Sequence, residues 1–193
     1  MTKSLKRRLS CAGEIFAWGE PGGSFTMGDV TGIERTLVLL KPDAVTRGLV
    51  GRVLARFEDA LLKIVASKMV WMDPDLTRQH YFDLEERFGP DVYNVVADFM
   101  HTGPVFAFVL EGVEAVAAVR KIVGSTYPDQ AAPGTIRGDY AHQSRAYANA
   151  NGIAVANLVH ASANSGEAKR EIDVWFAEGE LHEYKTLADR YIS

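Results

Sequence analysis

Four short apolar runs, separated by stretches with helical spacing, constrain this chain more than any other feature. Thr36-Leu-Val-Leu-Leu40 reads as a buried strand. Ile64 to Met72 reads as a second strand, ended by Asp73-Pro74. Pro104 to Leu110 is a third, and Ile153 to Val159 a fourth. Between them, Val50, Val53, Leu54, Phe57 and Leu61 recur at helical spacing, as do Val92, Val95, Val96, Phe99 and Met100. Val113, Val116, Ala117 and Val123 mark another helix, and Gly124 to Asp139 a long loop. Asp73 can cap the helix that Pro74 begins. Asn164 and Glu167 resemble a capping box for a helix running to Phe176. The order strand-helix-strand, helices, strand-helix-strand predicts an α/β (α+β) sandwich of ferredoxin-like type. Its sheet is expected to be four-stranded and antiparallel, with helices on one face.

A chain of 193 residues accommodates one such domain with an extension. Residues 1–32 read as that extension, punctuated by Pro21-Gly-Gly-Ser24, and residues 33–193 as the domain. Met27, just ahead of the first strand, is an alternative start. Lys3, Lys6, Arg7 and Arg8 are not followed by the apolar core of a signal peptide, although a short basic targeting sequence stays open. No apolar run approaches the roughly 18 residues of a membrane helix. The one cysteine, Cys11, cannot form an intramolecular disulfide, which suits a reducing cytoplasm. A net charge of −4 argues against a nucleic-acid partner, but binding one nucleotide needs only a few local cations.

Candidate chemistry clusters near strand ends. His160, one of five histidines, closes the last apolar run and opens a polar turn, where a side chain can point into a cleft. On the following helix, Ala168, Ile172 and Trp175 form the buried stripe, and Glu171 falls on it. A buried carboxylate is costly without a partner. Glu171 either holds the second nitrogen of His160, fixing its tautomer, or flanks the stripe and reaches solvent. Arg120 lies on the inward side of its helix and wants an anion, a carboxylate, or a route to solvent. Lys41 leaves the first strand ahead of Pro42 and is either a phosphate ligand or a plain surface lysine. Arg137 sits on a loop held by Pro133 and Gly134, suited to bidentate phosphate contacts, with Thr126 in the same loop. No histidine pair has metal-ligand spacing, and no P-loop or protein-kinase motif is present.

Taken in order, Lys41-Pro-Asp43, Tyr81 after His80, Thr102-Gly-Pro104, Pro133-Gly-Thr-Ile-Arg-Gly-Asp139, Asn157-Leu-Val-His160-Ala-Ser162 and Trp175-Phe176 resemble the nucleoside diphosphate kinase family across residues 34–193. The resemblance implies ping-pong transfer of the γ-phosphate of ATP or another nucleoside triphosphate to a nucleoside diphosphate, through a phosphohistidine on His160. It implies Glu171 as the carboxylate that holds this imidazole, Tyr81 as the tyrosine near it, and Ser162 beside it. Arg120, Thr126 and Arg137 match phosphate ligands. Lys41 matches the lysine that touches the transferred phosphate and the ribose, and Asn157 its ribose partner. Mg²⁺ is expected as cofactor, held mainly by the phosphates and by no protein side chain. The family's base platform is an aromatic ring, here Phe88 or Tyr93. A cytoplasmic homo-oligomer, tetramer or hexamer, is expected. Three departures stand out: a longer segment from Arg87 to Tyr93, an insertion between Asp139 and Ile153, and alanines at 161 and 163 where Gly and Asp are usual. A catalytically weak, nucleotide-binding relative is the competing reading.

Overall fold

The computed structural model describes residues 32–187 and Asp189. The expected N-terminal extension, apart from residue 32, and the alternative start at Met27 lie outside the described residues.

Strand β1 (Ile33–Leu40) is the spine of the sheet. After the short helix α1 (Pro42–Thr46) and helix α2 (Val50–Glu58) comes β2 (Lys63–Val70). Helices α3 (Pro74–His80), α4 (Leu84–Phe88) and α5 (Pro90–Met100) lead to β3 (Val105–Val113). Helices α6 (Ala115–Val123), α7 (Ile136–Tyr140) and α8 (Arg145–Ala150) precede β4 (Val159–Ala161), and α9 (Ser165–Trp175) follows it. The strand order is β2-β3-β1-β4, with every neighbouring pair antiparallel, which is the ferredoxin-like arrangement. Among the described residues, no helix is long and apolar enough to cross a membrane.

The unbroken apolar run of β1 has a physical cause. Val38 and Leu40 pack with Val53 and Phe57 of α2 and Val119 and Val123 of α6. Leu37 and Leu39 point the other way and pack with Met100 of α5 and Ile172 and Trp175 of α9. A strand covered on both faces needs apolar residues at successive positions. Helices therefore cover both faces of the sheet, not one.

Local signals behave as their chemistry dictates. Asp73 caps α3 by accepting from the Leu76 N–H at 2.7 Å, with Pro74 in the first turn. Asn164 caps α9 by accepting from the Glu167 N–H at 2.9 Å. The return bond of that box comes to the Glu167 carboxylate from Ala163, one residue before the cap.

The fourth strand differs from expectation. Residues 153–158 are not paired, and β4 is confined to Val159–Ala161, so His160 lies within the strand rather than after it. Leu158 is the reason. It is fully buried with φ at +69°, and the Val159 N–H bonds back to the Asn157 carbonyl at 2.7 Å. That tight turn interrupts extended backbone. Val113 ends β3 opposite Ile33 instead of starting α6. The expected loop over residues 124–139 contains a short 3₁₀ turn (Pro128–Gln130) and the start of α7, and the insertion carries α8.

Candidate active site

The site forms where β1, β4 and the loop before α7 meet. The Lys41 N–H donates to the Leu158 carbonyl at 2.8 Å. The Lys41 ammonium donates to Asn157 Oδ1 at 2.8 Å, and Asn157 Nδ2 donates to the Thr126 carbonyl at 2.9 Å. Asp43 Oδ2 accepts from the Leu158 N–H at 3.0 Å. Leu158 is thus held in its unfavourable conformation from both sides, as strained positions need to be.

Arg137 closes this junction. Its Nε donates to the Asn157 carbonyl at 3.2 Å, Nη1 to Gly124 at 2.9 Å and Nη2 to Val159 at 2.5 Å. Three of the five guanidinium N–H groups thereby bind main chain, and two remain for a ligand. The loop carrying it is rigid for identifiable reasons. Thr135 caps α7 through the Gly138 N–H, and Asp139 accepts from the Gly134 N–H at 2.7 Å. At Gly138 a Cβ would stand 2.1 Å from the Ala132 carbonyl oxygen, so only glycine fits.

His160 pairs with Leu39 in β4 and lines the cleft. Its Nε2 lies 3.0 Å from both carboxylate oxygens of Glu171, which is 2% exposed. Ser162 Oγ donates to Glu171 Oε2 at 2.6 Å, and Arg170 Nη2 stands 3.7 Å from Oε1. Burial pushes the Glu171 carboxyl up, but the His160 bond and charge, Ser162 and Arg170 outweigh it and hold the group below the usual range. An ionised carboxylate only accepts, so the proton of the neutral imidazole sits on Nε2. The lone pair is left on Nδ1.

Sequence reasoning did not single out His80. It is buried at the end of α3, and its ring meets that of His160 nearly edge-on at 4.5 Å. The indole N–H of Trp175 donates to His80 Nδ1 at 3.2 Å, which puts the His80 proton on Nε2. Burial, then the charges of His160, Arg170 and Lys41, push its pKa well down, so it stays neutral. Donor atoms of His80, His160 and Glu171 lie within 4.8 Å of one another. They do not suit a metal ion as arranged, because the one lone pair on neutral His80 already accepts from Trp175, and both Glu171 oxygens face His160. Tyr81 packs against His80 at 4.6 Å. Its hydroxyl is buried and unpartnered, as is His80 Nε2. Burial and then Glu171 raise the Tyr81 pKa, so it remains a donor.

Lys41, Arg120, Thr126, Arg137, Asn157 and His160 line one cleft of about 370 Å³. Arg120 departs from its expected inward position. Ala115, Val116, Val119 and Val123 make the buried stripe of α6, and Arg120 is exposed on the cleft side. Burial and then Arg137 lower Lys41 to about 8, and burial and then Arg120 lower Arg137 to about 10. Three cations thus crowd a cleft with no carboxylate in its lining. Such a cleft attracts a polyanion, and without a carboxylate in its lining it offers a divalent cation only neutral donors.

A second cavity of about 610 Å³ shares Lys41, Thr126 and Asn157 with the cleft. Phe88 lines it and is 52% exposed. Tyr93 is 8% exposed, lies under the Arg78 guanidinium at 4.8 Å and does not line the cavity. The structure therefore separates the two aromatic candidates.

In the ligand-free protein, Lys41 is expected to lose its proton near pH 8, well below the ordinary lysine value of 10.5. Its folded pKa is lowered, so stability rises with pH between those values, where the unfolded chain binds the extra proton. Nitrogen-15 NMR of the lysine ammonium checks this, and a midpoint above 10 would contradict the crowding of cations.

Comparison with known proteins agrees with the geometry. The family described as "Nucleoside diphosphate kinase" matches residues 34–181. A nucleoside diphosphate kinase from Borreliella burgdorferi is 46% identical over 155 residues, covering 79% of this chain and 93% of that protein. One from Pyrococcus furiosus is 45% identical over 157 residues, covering 81% and 91%. Among solved structures, a transition state mimic of the Borrelia burgdorferi enzyme with bound vanadate and ADP superposes with a TM-score of 0.80 at 44% identity, covering 83% of this chain and 96% of that one. A halophilic nucleoside diphosphate kinase from Halobacterium salinarum in complex with CDP gives a TM-score of 0.70 at 38% identity, covering 83% and 98%. The chain belongs to the nucleoside diphosphate kinase family.

Proposed function

We propose that this chain is an active nucleoside diphosphate kinase working through a phosphorylated His160. The observation that carries the reading is the His160–Glu171 pair at 3.0 Å, set beside three cations in one cleft. The Nδ1 lone pair attacks the γ-phosphorus of a nucleoside triphosphate. The bond from that phosphorus to the β,γ-bridging oxygen breaks, and the nucleoside diphosphate leaves with the electron pair. The imidazole then carries the phosphoryl group on Nδ1 and a positive charge, which Glu171 stabilises through Nε2–H. A second nucleoside diphosphate attacks the same phosphorus, and the N–P bond breaks to restore the neutral ring.

Phosphoryl transfer requires positioning and charge stabilisation more than covalent chemistry from the protein. In this reading Arg120, Arg137 and Thr126 bind the phosphates. Lys41 reaches the transferred group and the ribose, with Asn157 holding the ammonium in place. Tyr81 and His80 wall the imidazole. Mg²⁺ would be held by the nucleotide rather than by a side chain of this cleft, and would supply neutralisation of the phosphate charge. That solved structures of two relatives hold vanadate with ADP and CDP supports nucleotide binding by this chain. A cytoplasmic homo-oligomer belongs to the same reading. Supporting association, Met69 on the edge strand β2 and Trp71 just beyond it are both more than half exposed.

Incubation with γ-labelled ATP and Mg²⁺ tests the reaction. Acid-labile, alkali-stable label is expected on the protein and should pass to added GDP or CDP. His160→Ala should abolish both steps while nucleotide still binds. Absence of label despite binding would reduce the chain to a nucleotide-binding relative. Arg120→Ala should weaken nucleotide binding by roughly 1.5–3 kcal/mol, the scale of a hydrogen bond to a charged group. Unchanged affinity in calorimetry would remove Arg120 from the site.

A further inference from the structure

Residues 153–158 enter the site as unpaired backbone, so their amide groups need partners outside the sheet. Close to the site those partners are side chains. The Leu158 N–H goes to Asp43 at 3.0 Å, and the Asn157 carbonyl accepts from Arg137 Nε at 3.2 Å. The Ala156 N–H goes to Gln143 Oε1 at 2.5 Å, from 13 positions away in sequence. Asn157 thus lies between two amides, each pinned by a side-chain acceptor. Its own side chain joins the Lys41 ammonium to the Thr126 carbonyl.

Gln143 belongs to the insertion, and the insertion is built to hold it. Ser144, the next residue, caps α8 by accepting from the Tyr147 N–H at 3.1 Å. Ala148 is only 1% exposed, and its carbonyl accepts from the Ile153 N–H at 3.1 Å, which fixes the far end of the helix. The Gln143 bond then draws the two ends of segment 143–156 together, as in a compact surface loop packed on itself. Arg145, in the first turn of α8, lies over the Tyr127 ring at 5.5 Å. Tyr127 follows Thr126, whose carbonyl takes the Asn157 amide. The start of the insertion therefore meets Asn157 twice, at its preceding residue and beside its side-chain acceptor.

We propose that Gln143 is a positioning residue for the phosphoryl transfer, acting through Asn157 on Lys41; this rests on the function proposed above. Gln143 is not among the residues that line the cleft or the second cavity, so its hold on the site passes through the Ala156 amide. Without that bond the positive-φ turn at Leu158 has one restraint fewer, and strained backbone persists only where its surroundings over-determine it. As the turn relaxes, Asn157 Oδ1 withdraws from the Lys41 ammonium. A small displacement of a group that has to meet the transferred phosphoryl costs rate steeply. The insertion thereby supports the geometry of the site from outside it.

Amide hydrogen exchange on the full chain tests the brace without catalysis. Gln143→Leu keeps a side chain of similar bulk and removes the acceptor. Ala156 loses its partner directly, so the informative amide is Leu158, whose own acceptor, Asp43, is untouched. Leu158 should exchange about ten-fold faster in this variant, the scale of one hydrogen bond lost from the local restraint. The kcat for phosphoryl transfer should fall about ten-fold as well. Gln143→Glu, whose carboxylate still accepts, should keep both within about two-fold of wild type. Wild-type Leu158 exchange and kcat in Gln143→Leu would overturn the inference, and so would an equal loss in Gln143→Glu. A wild-type chain that forms no phosphoenzyme would strike the proposed kinase reaction instead, leaving Leu158 exchange to decide the brace on its own.

Discussion

A buried carboxylate has to be surrounded by donors, and Glu171 meets that need at one place only. His160 Nε2–H and the Ser162 hydroxyl converge on it, with the Arg170 guanidinium nearby. Removing one donor would leave an uncompensated charge inside the fold, a large penalty. The pair therefore fixes more than its own geometry. It sets the tautomer of His160, orients the ring across the β4–α9 junction and leaves Nδ1 as the one basic nitrogen. The nearby rings reinforce the arrangement. Burial keeps His80 neutral and Trp175 fixes its proton on Nε2, so a positive ring there does not compete with His160 for Glu171.

The cleft depends on a second set of constraints that costs stability. Lys41 and Arg137 are held close together in partly desolvated positions, and both pKa values fall in consequence. Fixing them requires the carbonyl clamp around Arg137 and the turn at Leu158 with its positive φ. In the proposed reaction a triphosphate relieves the repulsion on binding. The donors are already oriented toward the developing charge, so little reorganisation is needed at the moment of transfer.

Much of this was legible in the sequence, for physical reasons that vary by residue. Periodicity placed the sheet and the main helices, because apolar spacing is a local property. Asp73 and Asn164 were readable as caps because their partners lie three residues on. Glu171 stood out as a carboxylate on an apolar stripe, and its partner proved to be His160. What could not be read depended on contacts distant in sequence. The three carbonyls held by Arg137 come from two separate segments, and Leu158 is held by Asp43, 115 residues away. The apolar run ending at Val159 looked like a long strand because sequence does not display a turn at a leucine. The unbroken apolar run of β1 is the sequence signal that both sheet faces are covered. Arg120 was misplaced on its helix because a position bordering the buried stripe faces the cleft instead. His80 carried no periodic or spacing signal at all.

The central claim is that Glu171 occupies Nε2 and leaves Nδ1 to react. The most direct test is the chemical identity of the phosphohistidine. The phosphoenzyme would be trapped in alkali, and the phosphorylated nitrogen assigned by proton–nitrogen–phosphorus correlation NMR. The account predicts phosphorus on Nδ1 of His160. Phosphorus on Nε2 would mean that the His160–Glu171 bond breaks before transfer, and the account of the site built on it would be wrong.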